Sequence, residues 1–323
     1  MKVLLTGASG QLGQALRSRQ PAFVLGQPFE LIATSRHGSD GVLALDLSDA
    51  EACKEAVRHH RPDWVINAGA YTAVDLAESE PALAEMVNAG APLAFAKALK
   101  DSGGRMLQLS TDFVFSGNQG HPYRPEQQLN PLGVYGASKA AGEMAVQKLL
   151  GCEGRAVVLR TSWLYGPLGN NFLLTMLRLH HQRALAAEPL CVVADQVGCP
   201  TATIGLADAC WALINSGVNS AGKPDHQPFL ASMPTLLHWS DAGVASWYDF
   251  AVAIGDLGQQ SGLLKRAAEV QPISTAKYPT PAKRPSYSLL DCSRSHKLLD
   301  LEPKHWRLAL QQVMLAIRDD QTS

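Results

Sequence analysis

The sequence predicts an α/β protein built on a doubly wound parallel sheet. Three observations predict this class: short apolar runs alternate with helical segments through residue 161, a glycine-rich turn follows the first apolar run, and 323 residues with 46% hydrophobic content can bury a large core. Parallel strands appear as continuous apolar runs because helices cover both faces of the sheet. The length also leaves room for a second, smaller domain.

The strands and helices can be placed in order along this part of the chain. The predicted strands cover residues 2–6, 31–34, 42–45, 64–67, 106–110 and 156–161. The predicted helices cover residues 11–19, 48 to just before 62, a long stretch after 67 to about 100, and 135–149. Ser48 and Glu51 have the spacing of a capping box, in which each side chain satisfies the other's free backbone donor. This alternation predicts a Rossmann-like sheet.

The turn after the first strand has the sequence TGASGQLG, residues 6–13. Gly7 allows a sharp turn, Gly10 leaves room for a diphosphate against the backbone, and Gly13 lets the helix pack close to the sheet. The helix N-terminus then presents free N–H groups to the phosphates. In this β-α-β context the turn predicts a dinucleotide site.

The end of the second strand bears on which dinucleotide binds. An acidic residue there would bond the ribose hydroxyls and disfavour an extra phosphate. This chain has Ser35 and Arg36 instead, and a guanidinium matches the geometry of a 2′-phosphate. NADPH is therefore favoured and NADH stays open, since Arg36 could also point into solvent.

Tyr135 and Lys139 are four residues apart, so both lie on one face of the predicted helix. A free tyrosine has a pKa of about 10, and a neighbouring cation should stabilise the phenolate and lower that value. Ser110 and Thr111 end the fifth strand, where open α/β sheets bind ligands, and one hydroxyl can polarise a substrate carbonyl. The alternative is a surface Tyr-Lys pair. With the dinucleotide motif, the set predicts a reductase.

Beyond residue 161 the β-α order is less regular. Turn-rich segments interrupt the helical stretches at 172–183 and 247–257; they cover residues 166–171, 198–201 and 278–285. We expect residues 1–162 to form the dinucleotide-binding domain and residues 163–323 to form mostly a smaller, interleaved substrate-binding lobe, with some segments returning to the sheet. Residues 215–236 are polar and turn-rich, which predicts a surface excursion.

Composition argues against several other function classes. A net charge of -1 and a pI near 6.8 provide no field to attract nucleic acid or an anionic membrane, so neither partner is expected. The cysteines form no C-x-x-C pair, which argues against a disulfide framework or a zinc site. The N-terminus runs directly into a strand and no apolar run reaches membrane-spanning length, so we expect a cytoplasmic protein.

Some conspicuous residues have a functional and an ordinary explanation. Arg284, near Lys277 and Lys283, can bind a substrate diphosphate, but prolines on both sides of it also fit a solvent loop. The pairs at 59–60 and 180–181 are adjacent histidines, which point in different directions on a helix and are expected on the surface. The tryptophans expected to pack in the interior are Trp239, Trp247 and Trp306.

The glycine turn, the Ser/Thr and the Tyr-x3-Lys helix resemble the extended short-chain dehydrogenase/reductases. Within that superfamily, longer segments resemble the dTDP-4-dehydrorhamnose reductase family. They are NAGAYTAVDLAE at 67–78, STDFVF at 110–115, PLGVYG at 131–136, RTSWLY at 160–165, DQ at 195–196 with G-x-PT at 198–201, and YPTPAKRP at 278–285. The resemblance extends along most of the chain.

This resemblance implies that NADPH reduces the C4 ketone of dTDP-4-dehydro-6-deoxy-L-mannose, giving dTDP-L-rhamnose. It implies that Tyr135 donates the proton, Lys139 activates the tyrosine and binds the nicotinamide ribose, and Thr111 bonds the ketone oxygen. Asp112 and Trp163 fall where the family contacts the sugar. The implied cofactor positions are Gly10, Gln11 and Leu12 at the diphosphate, Asp46 and Leu47 at the adenine, and Ala70, Tyr71 and Thr72 beside the nicotinamide.

Some relatives bind magnesium at a dimer interface through carboxylates. No motif in this sequence identifies such ligands, so magnesium stays open, no metal ligand is assigned, and a homodimer is a hypothesis.

Two other functions also stay open. An epimerase or dehydratase would return the hydride to its product, and the family's dehydratases carry an acid directly after the Thr-Asp pair, where this chain has Phe113. A non-catalytic regulatory subunit is the other, although an intact Thr111, Tyr135 and Lys139 set argues against it.

Overall fold

The computed structural model describes residues 1–216 and 235–322. Its strands, numbered in chain order, are β1 Lys2–Thr6, β2 Glu30–Ser35, β3 Leu43–Ala44, β4 Trp64–Asn67, β5 Arg105–Thr111, β6 Ala156–Thr161, β7 Leu164–Tyr165, β8 Leu190–Val193, β9 Val197–Gly198, β10 Thr201–Ala202, β11 Leu236–His238, β12 Ala245–Ser246 and β13 Val270–Ile273. The helices are α1 Gln11–Ser18, α2 Ala50–His60, α3 Val74–Ala77, α4 Pro81–Glu85, α5 Ala91–Ser102, α6 Val134–Leu149, α7 Phe172–Ala186, α8 Thr203–Asn215, α9 Trp247–Gln260, α10 Ser293–Leu299 and α11 Trp306–Thr322.

Within these residues the central sheet has seven strands in the order β11-β6-β5-β4-β1-β2-β3. All neighbouring strands in it run parallel. The order runs outward from β1 to β3 on one side and outward through β4, β5 and β6 on the other. The predicted doubly wound, Rossmann-like class is confirmed.

Successive residues of β1 belong to different helix layers. Val3 and Leu5 pack with α1 and α8, whereas Leu4 packs with α2, α5 and α6. Side chains alternate between the two faces of a strand, so an uninterrupted apolar run is what a sheet covered on both faces requires. A separate core in the C-terminal half joins α7, α9 and α11 with β8. β11 returns to the main sheet beside β6.

Two local predictions are wrong. The helix expected from residue 67 to about 100 is divided into α3, α4, a π-helical turn at Met86–Gly90 and α5. Pro81 starts α4 because a proline lacks the N–H that a continuing helix would need. Asp49, not Ser48, caps α2: its carboxylate accepts from the backbone N–H groups of Glu51 and Ala52 at 2.9 and 3.0 Å.

Four further sequence predictions can be compared with the structure. β3 is shorter than the predicted 42–45. His180 was expected on the surface but is fully buried, and its Nε2 lies 2.9 Å from the carbonyl oxygen of Ala251 in α9. Most of the predicted surface excursion at 215–236 lies outside the described residues. No helix in the described ranges is long and apolar enough to cross a membrane.

Candidate active site

A cleft of about 810 Å³ opens at the carboxyl edge of the sheet, where α/β folds bind their ligands. Residues that follow β1, β2 and β4 line one part of it, and residues from the ends of β5 and β6 line another. The wall opposite comes from the C-terminal half through Phe172 and Trp247. The predicted site residues that line the cleft are Gly7, Gly10, Gln11, Leu12, Gly13, Arg36, Asp46, Leu47, Ala70, Tyr71, Thr72, Thr111, Asp112, Tyr135, Lys139, Trp163 and Arg284. Ser35 is the one predicted site residue that does not line the cleft.

The glycine turn between β1 and α1 is tightly enclosed. Gly7 has φ +67°, and a Cβ there would lie 2.6 Å from the Cα of Gly69. A Cβ at Gly13 would overlap the carbonyl oxygen of Gly7. Gly10 is different: apart from the Gly7 oxygen at 3.2 Å, its Cβ direction is open. No described side chain caps α1 at Gly10, so the helix N-terminus faces the cleft with free donors.

Tyr135, Lys139 and Thr111 meet where α6 passes the end of β5. Lys139 is almost fully buried, and its Nζ donates to the carbonyl oxygen of Leu109 at 2.7 Å. The hydroxyl of Thr111 donates to Oδ1 of Asp112 at 3.0 Å and accepts from the N–H of Phe113 at 3.2 Å. The three predicted catalytic side chains are therefore brought to one place.

Burial dominates the ionisation of this group. It raises the pKa of Tyr135 to about 12, against a hydrogen-bonding interaction with Thr111 that lowers it, and the charge of Asp112 raises it further. The expectation that the cation lowers this pKa below its usual value is wrong here. Burial also lowers the pKa of Lys139 to about 8, opposed by the charge of Glu143. At pH 7 the phenol is therefore protonated, and the ammonium is the main form of the lysine.

An ion pair is buried next to this group. Arg160 and Glu143 are each 2% exposed. Nε of Arg160 donates to both carboxylate oxygens of Glu143 at 2.9 and 3.1 Å, and Nη2 donates to Oε2 at 2.7 Å. Nη1 of Arg160 donates to the carbonyl oxygen of Pro125 at 2.9 Å and lies 3.2 Å from Nε2 of His238.

His238 gives this cluster a pH dependence. Burial, together with the charge of Arg160, lowers its pKa from 6.5 to about 3, so acid protonates the unfolded chain first. We expect His238→Gln to gain stability relative to the parent by about 2 kcal/mol between pH 6.5 and pH 5. Urea unfolding at both pH values measures this difference. His121→Gln, at an exposed position, is the control. Parallel pH profiles for the parent and His238→Gln would contradict the assignment.

The part of the cleft beyond the end of β2 contains Arg36 and Asp46. Nε of Arg36 lies 3.2 Å from Oδ2 of Asp46, and 62% of the arginine side chain is exposed. Hydrogen bonds from Ser48 and the charge of Arg36 lower the pKa of Asp46. Ser35 is 5% exposed and is not among the residues that line the cleft. Arg36 is thus the residue of this pair that lines the cleft.

Arg36→Ala is expected to shift the preference from NADPH toward NADH, because a 2′-phosphate would lose its guanidinium partner. The ratio of kcat/KM for the two cofactors measures the shift. Arg17→Ala, which removes an exposed cation from α1, is the matched control. If the ratio does not change in Arg36→Ala, the 2′-phosphate assignment is wrong.

The segment after β4 is fixed by contacts that the sequence did not reveal. Oδ1 of Asn88 accepts from the N–H of Tyr71 at 2.9 Å, and its Nδ2 donates to the Tyr71 carbonyl and to Oγ of Ser138 at 3.0 and 3.1 Å. The Tyr71 hydroxyl donates to Glu80 at 2.7 Å. Asn88 lies in the π-helical turn and so links this wall of the cleft to α6. In the sequence, Asn88 was only one polar residue within the long helix predicted after residue 67.

The part of the cleft lined by Trp163 and Trp247 is aromatic. Trp163 stacks on Trp247 with ring centres 3.5 Å apart and planes 5° from parallel. Trp239 and Trp306 are buried as predicted, whereas Trp247 is half-buried and lines the cleft. Phe113 contacts the ring of Tyr135 edge-on at 5.6 Å. The position at which a dehydratase would carry its acid is therefore filled by an apolar ring.

Arg284 reaches the cleft but already has protein partners. Its Nη1 and Nη2 lie 3.0 and 2.8 Å from the two carboxylate oxygens of Asp75 in α3, and Nη1 also donates to Thr280 at 2.6 Å. An incoming anion would therefore have to share this guanidinium with Asp75.

Comparison with known proteins identifies the family. The RmlD substrate binding domain family matches residues 1–318. A dTDP-4-dehydrorhamnose reductase of Salmonella typhimurium is 36% identical over 97% of both chains. One from Streptomyces griseus is 39% identical, covering 97% of this chain and 93% of its own. The chain belongs to the dTDP-4-dehydrorhamnose reductase family. The resemblance inferred from the sequence motifs is confirmed.

Solved structures of the dTDP-4-dehydrorhamnose reductase family have the same fold. The reductase of Clostridium acetobutylicum gives a TM-score of 0.81 at 32% identity, with all of both chains covered. That of Bacillus anthracis, in complex with NADP, gives 0.80 at 31% identity, with 98% of this chain and 99% of the other covered. A UDP-glucose 4-epimerase of Thermus thermophilus, at 22% identity and a TM-score of 0.72, shares the fold alone.

Within residues 1–216 and 235–322, no group of three or more His, Cys, Asp or Glu side chains is placed to hold a metal ion.

Proposed function

We propose that this protein uses NADPH to reduce the C4 ketone of dTDP-4-dehydro-6-deoxy-L-mannose, producing dTDP-L-rhamnose. The observation that carries the proposal is the meeting of Thr111, Tyr135 and Lys139 in a cleft that also contains the glycine turn. The family supports the same activity, since its members named above are dTDP-4-dehydrorhamnose reductases.

The cleft fits a dinucleotide at its glycine end. The uncrowded Cβ direction of Gly10 and the uncapped start of α1 match a diphosphate. Ser110 Oγ is buried at the cleft with no hydrogen-bond partner in the described part of the chain, which leaves one polar group for a ligand. NADPH supplies the hydride when it is bound. The cleft-lining residues that would hold it are Gly7, Gly10, Gln11, Leu12, Gly13, Arg36, Asp46, Leu47, Ala70, Tyr71, Thr72, Tyr135 and Lys139. Ser35, also predicted at this site, does not line the cleft.

Tyr135 is suited to donate a proton. Because burial raises its pKa to about 12, the phenol holds its proton at neutral pH and can release it when an alkoxide forms nearby. The ammonium of Lys139 then stabilises the phenolate that remains. The Thr111 hydroxyl, 3.0 Å from Asp112, can turn to the ketone oxygen and polarise it. The chain's own residues thus provide an acid, a cation and a hydrogen-bond donor.

The remaining cleft residues suit a deoxysugar bearing a diphosphate. Trp163, supported by Trp247, offers a flat apolar face to the C–H surface of a sugar. Asp112, whose pKa burial raises to about 6, can bond a sugar hydroxyl. Arg284 would contact the diphosphate by exchanging part of its pairing with Asp75.

The proposal also covers the organisation of the molecule. Residues 1–162 would serve mainly the cofactor and residues 163–323 mainly the sugar. A cytoplasmic location fits the unpaired cysteines of the described chain. A homodimer is part of the same proposal.

A substrate panel tests the proposal. The purified protein is incubated with NADPH and several 4-keto-6-deoxy nucleotide sugars that differ in base and in sugar configuration. We expect stoichiometric loss of NADPH with the dTDP-linked L-sugar, and a product with the L-rhamnose configuration at C4. An epimerase or dehydratase would convert its sugar without net loss of NADPH, and a regulatory subunit would consume none with any sugar. Either result would refute the reductase assignment.

A further inference from the structure

We propose that Glu143 is a positioning residue for Lys139, and that Arg160 fixes the Glu143 carboxylate one helical turn beyond the ammonium. The inference concerns what keeps Lys139 protonated and in place beside Tyr135, the proposed proton donor. In that respect it rests on the proposed function. The contacts that support it do not depend on the substrate.

The first support is the placement of three side chains on α6. Tyr135, Lys139 and Glu143 follow one another at intervals of four residues, which places them along one face of the helix. That face turns inward: Lys139 is 5% exposed and Glu143 is 2% exposed. A glutamate at the inward end of this row has no contact with water to stabilise its charge, so its partners must do so.

The second support is the geometry of Arg160. Its guanidinium meets both oxygens of Glu143 through three hydrogen bonds of 2.7 to 3.1 Å, and its remaining nitrogen bonds Pro125. Apolar side chains of similar volume can often replace a buried ion pair without loss of stability. Stability alone therefore gives no physical reason for charges at this place.

The third support is the environment of Lys139. Its Nζ donates to the carbonyl oxygen of Leu109, a neutral partner on β5. Burial lowers the pKa of Lys139 to about 8, and the charge of Glu143 opposes this. The other ionisable groups packed around this part of α6 include Tyr135 on the helix itself, Glu78, which accepts from the N–H of Val134, Asp112 after β5, Arg160 on β6, and His238 on β11, 3.2 Å from Arg160. A fixed carboxylate keeps the lysine protonated at the pH at which the phenol must give up its proton.

The test is a direct titration of Lys139 in protein labelled with [ε-¹³C]lysine, followed by NMR, with the signal assigned by its absence in Lys139→Met. Two variants remove the charge of Glu143. Glu143→Gln leaves Arg160 unpaired, and the double variant Glu143→Gln, Arg160→Gln keeps two hydrogen-bonding side chains without charges. We expect the pKa of Lys139 to fall by about one unit or more in Glu143→Gln, where the Arg160 charge is left unpaired, and by less in the double variant, which removes both charges. Glu143→Asp should retain the parent value.

The double variant Arg19→Gln, Asp208→Asn is the matched control. It removes another arginine-carboxylate pair, 2.8 Å long and partly exposed, between Arg19, directly after α1, and Asp208 in α8, and it should leave the pKa of Lys139 unchanged. The basic limb of kcat/KM against pH should shift downward with the NMR value in the Glu143 variants only.

An unchanged pKa of Lys139 in a folded variant without the Glu143 charge would overturn the inference. So would failure of both charge-removing variants to fold, since the pair would then serve the stability of the core. The titration needs neither substrate nor cofactor. If the titration contradicts the inference but the protein still reduces the sugar, the proposed function stands. If the titration agrees but no sugar is reduced, the proposed function fails and the role of Glu143 stands.

Discussion

Tyr135→Phe is expected to lower kcat by about two to four powers of ten, the usual range for loss of a general acid. The phenylalanine ring keeps the edge contact with Phe113 and the shape of the cleft, so NADPH affinity should be nearly unchanged. Stopped-flow measurement of NADPH oxidation with the 4-keto sugar gives the rate, and fluorescence titration gives the cofactor affinity.

The control for this variant is Tyr123→Phe. Tyr123 is buried and stacked on Phe115 outside the cleft lining, so it tests the loss of a phenol hydroxyl elsewhere in the same core. Full turnover in Tyr135→Phe would remove the tyrosine from the chemistry. It would also favour a non-catalytic role for the protein.

Lys139→Met is expected to damage both turnover and cofactor binding. The ammonium would no longer stabilise the Tyr135 phenolate, which should reduce kcat by about a hundredfold or more. It would also no longer bond the nicotinamide ribose, so the Kd for NADPH should rise. Methionine keeps the apolar stem, but the carbonyl of Leu109 loses its 2.7 Å partner, so thermal unfolding must accompany the kinetics.

Lys148→Met is the control, since Lys148 is exposed in the last turn of the same helix. A Lys139→Met protein with the parent's affinity for NADPH would show that the lysine serves the proton step alone. Unchanged turnover would refute its proposed role altogether.

The parts of the site that the sequence predicted are those encoded locally. Gly7, Gly10 and Gly13 belong to one turn, and Tyr135 and Lys139 belong to one helix. Because each set lies within one local element, the spacing in the sequence determines the relative positions of its residues. The sheet was predictable for a similar reason, because each buried strand is a continuous apolar run next to its own helix.

The parts that the sequence missed depend on residues far apart in the chain. The stacking of Trp163 on Trp247, the bonds of Asn88 to Ser138, and the pairing of Glu143 with Arg160 each need the folded sheet to exist first. The predicted direction of the Tyr135 pKa shift was wrong because the sequence shows the neighbouring lysine but not how deeply both residues are buried. Ser48 failed as a cap because Asp46 takes its hydroxyl at 2.8 Å.

Two glycines of α6 restrict where this protein can change. A single methyl group at Gly136 would overlap the carbonyl oxygen of Phe113, and one at Gly142 would overlap that of Asn88. The helix that carries Tyr135 and Lys139 therefore packs closely against both neighbouring segments. A larger side chain on its inner face would displace Tyr135 and Lys139 together. The facing wall, where Trp163 and Trp247 stack, is therefore the better place to redesign the cleft for a different sugar, because changes there leave the position of Tyr135 unaltered.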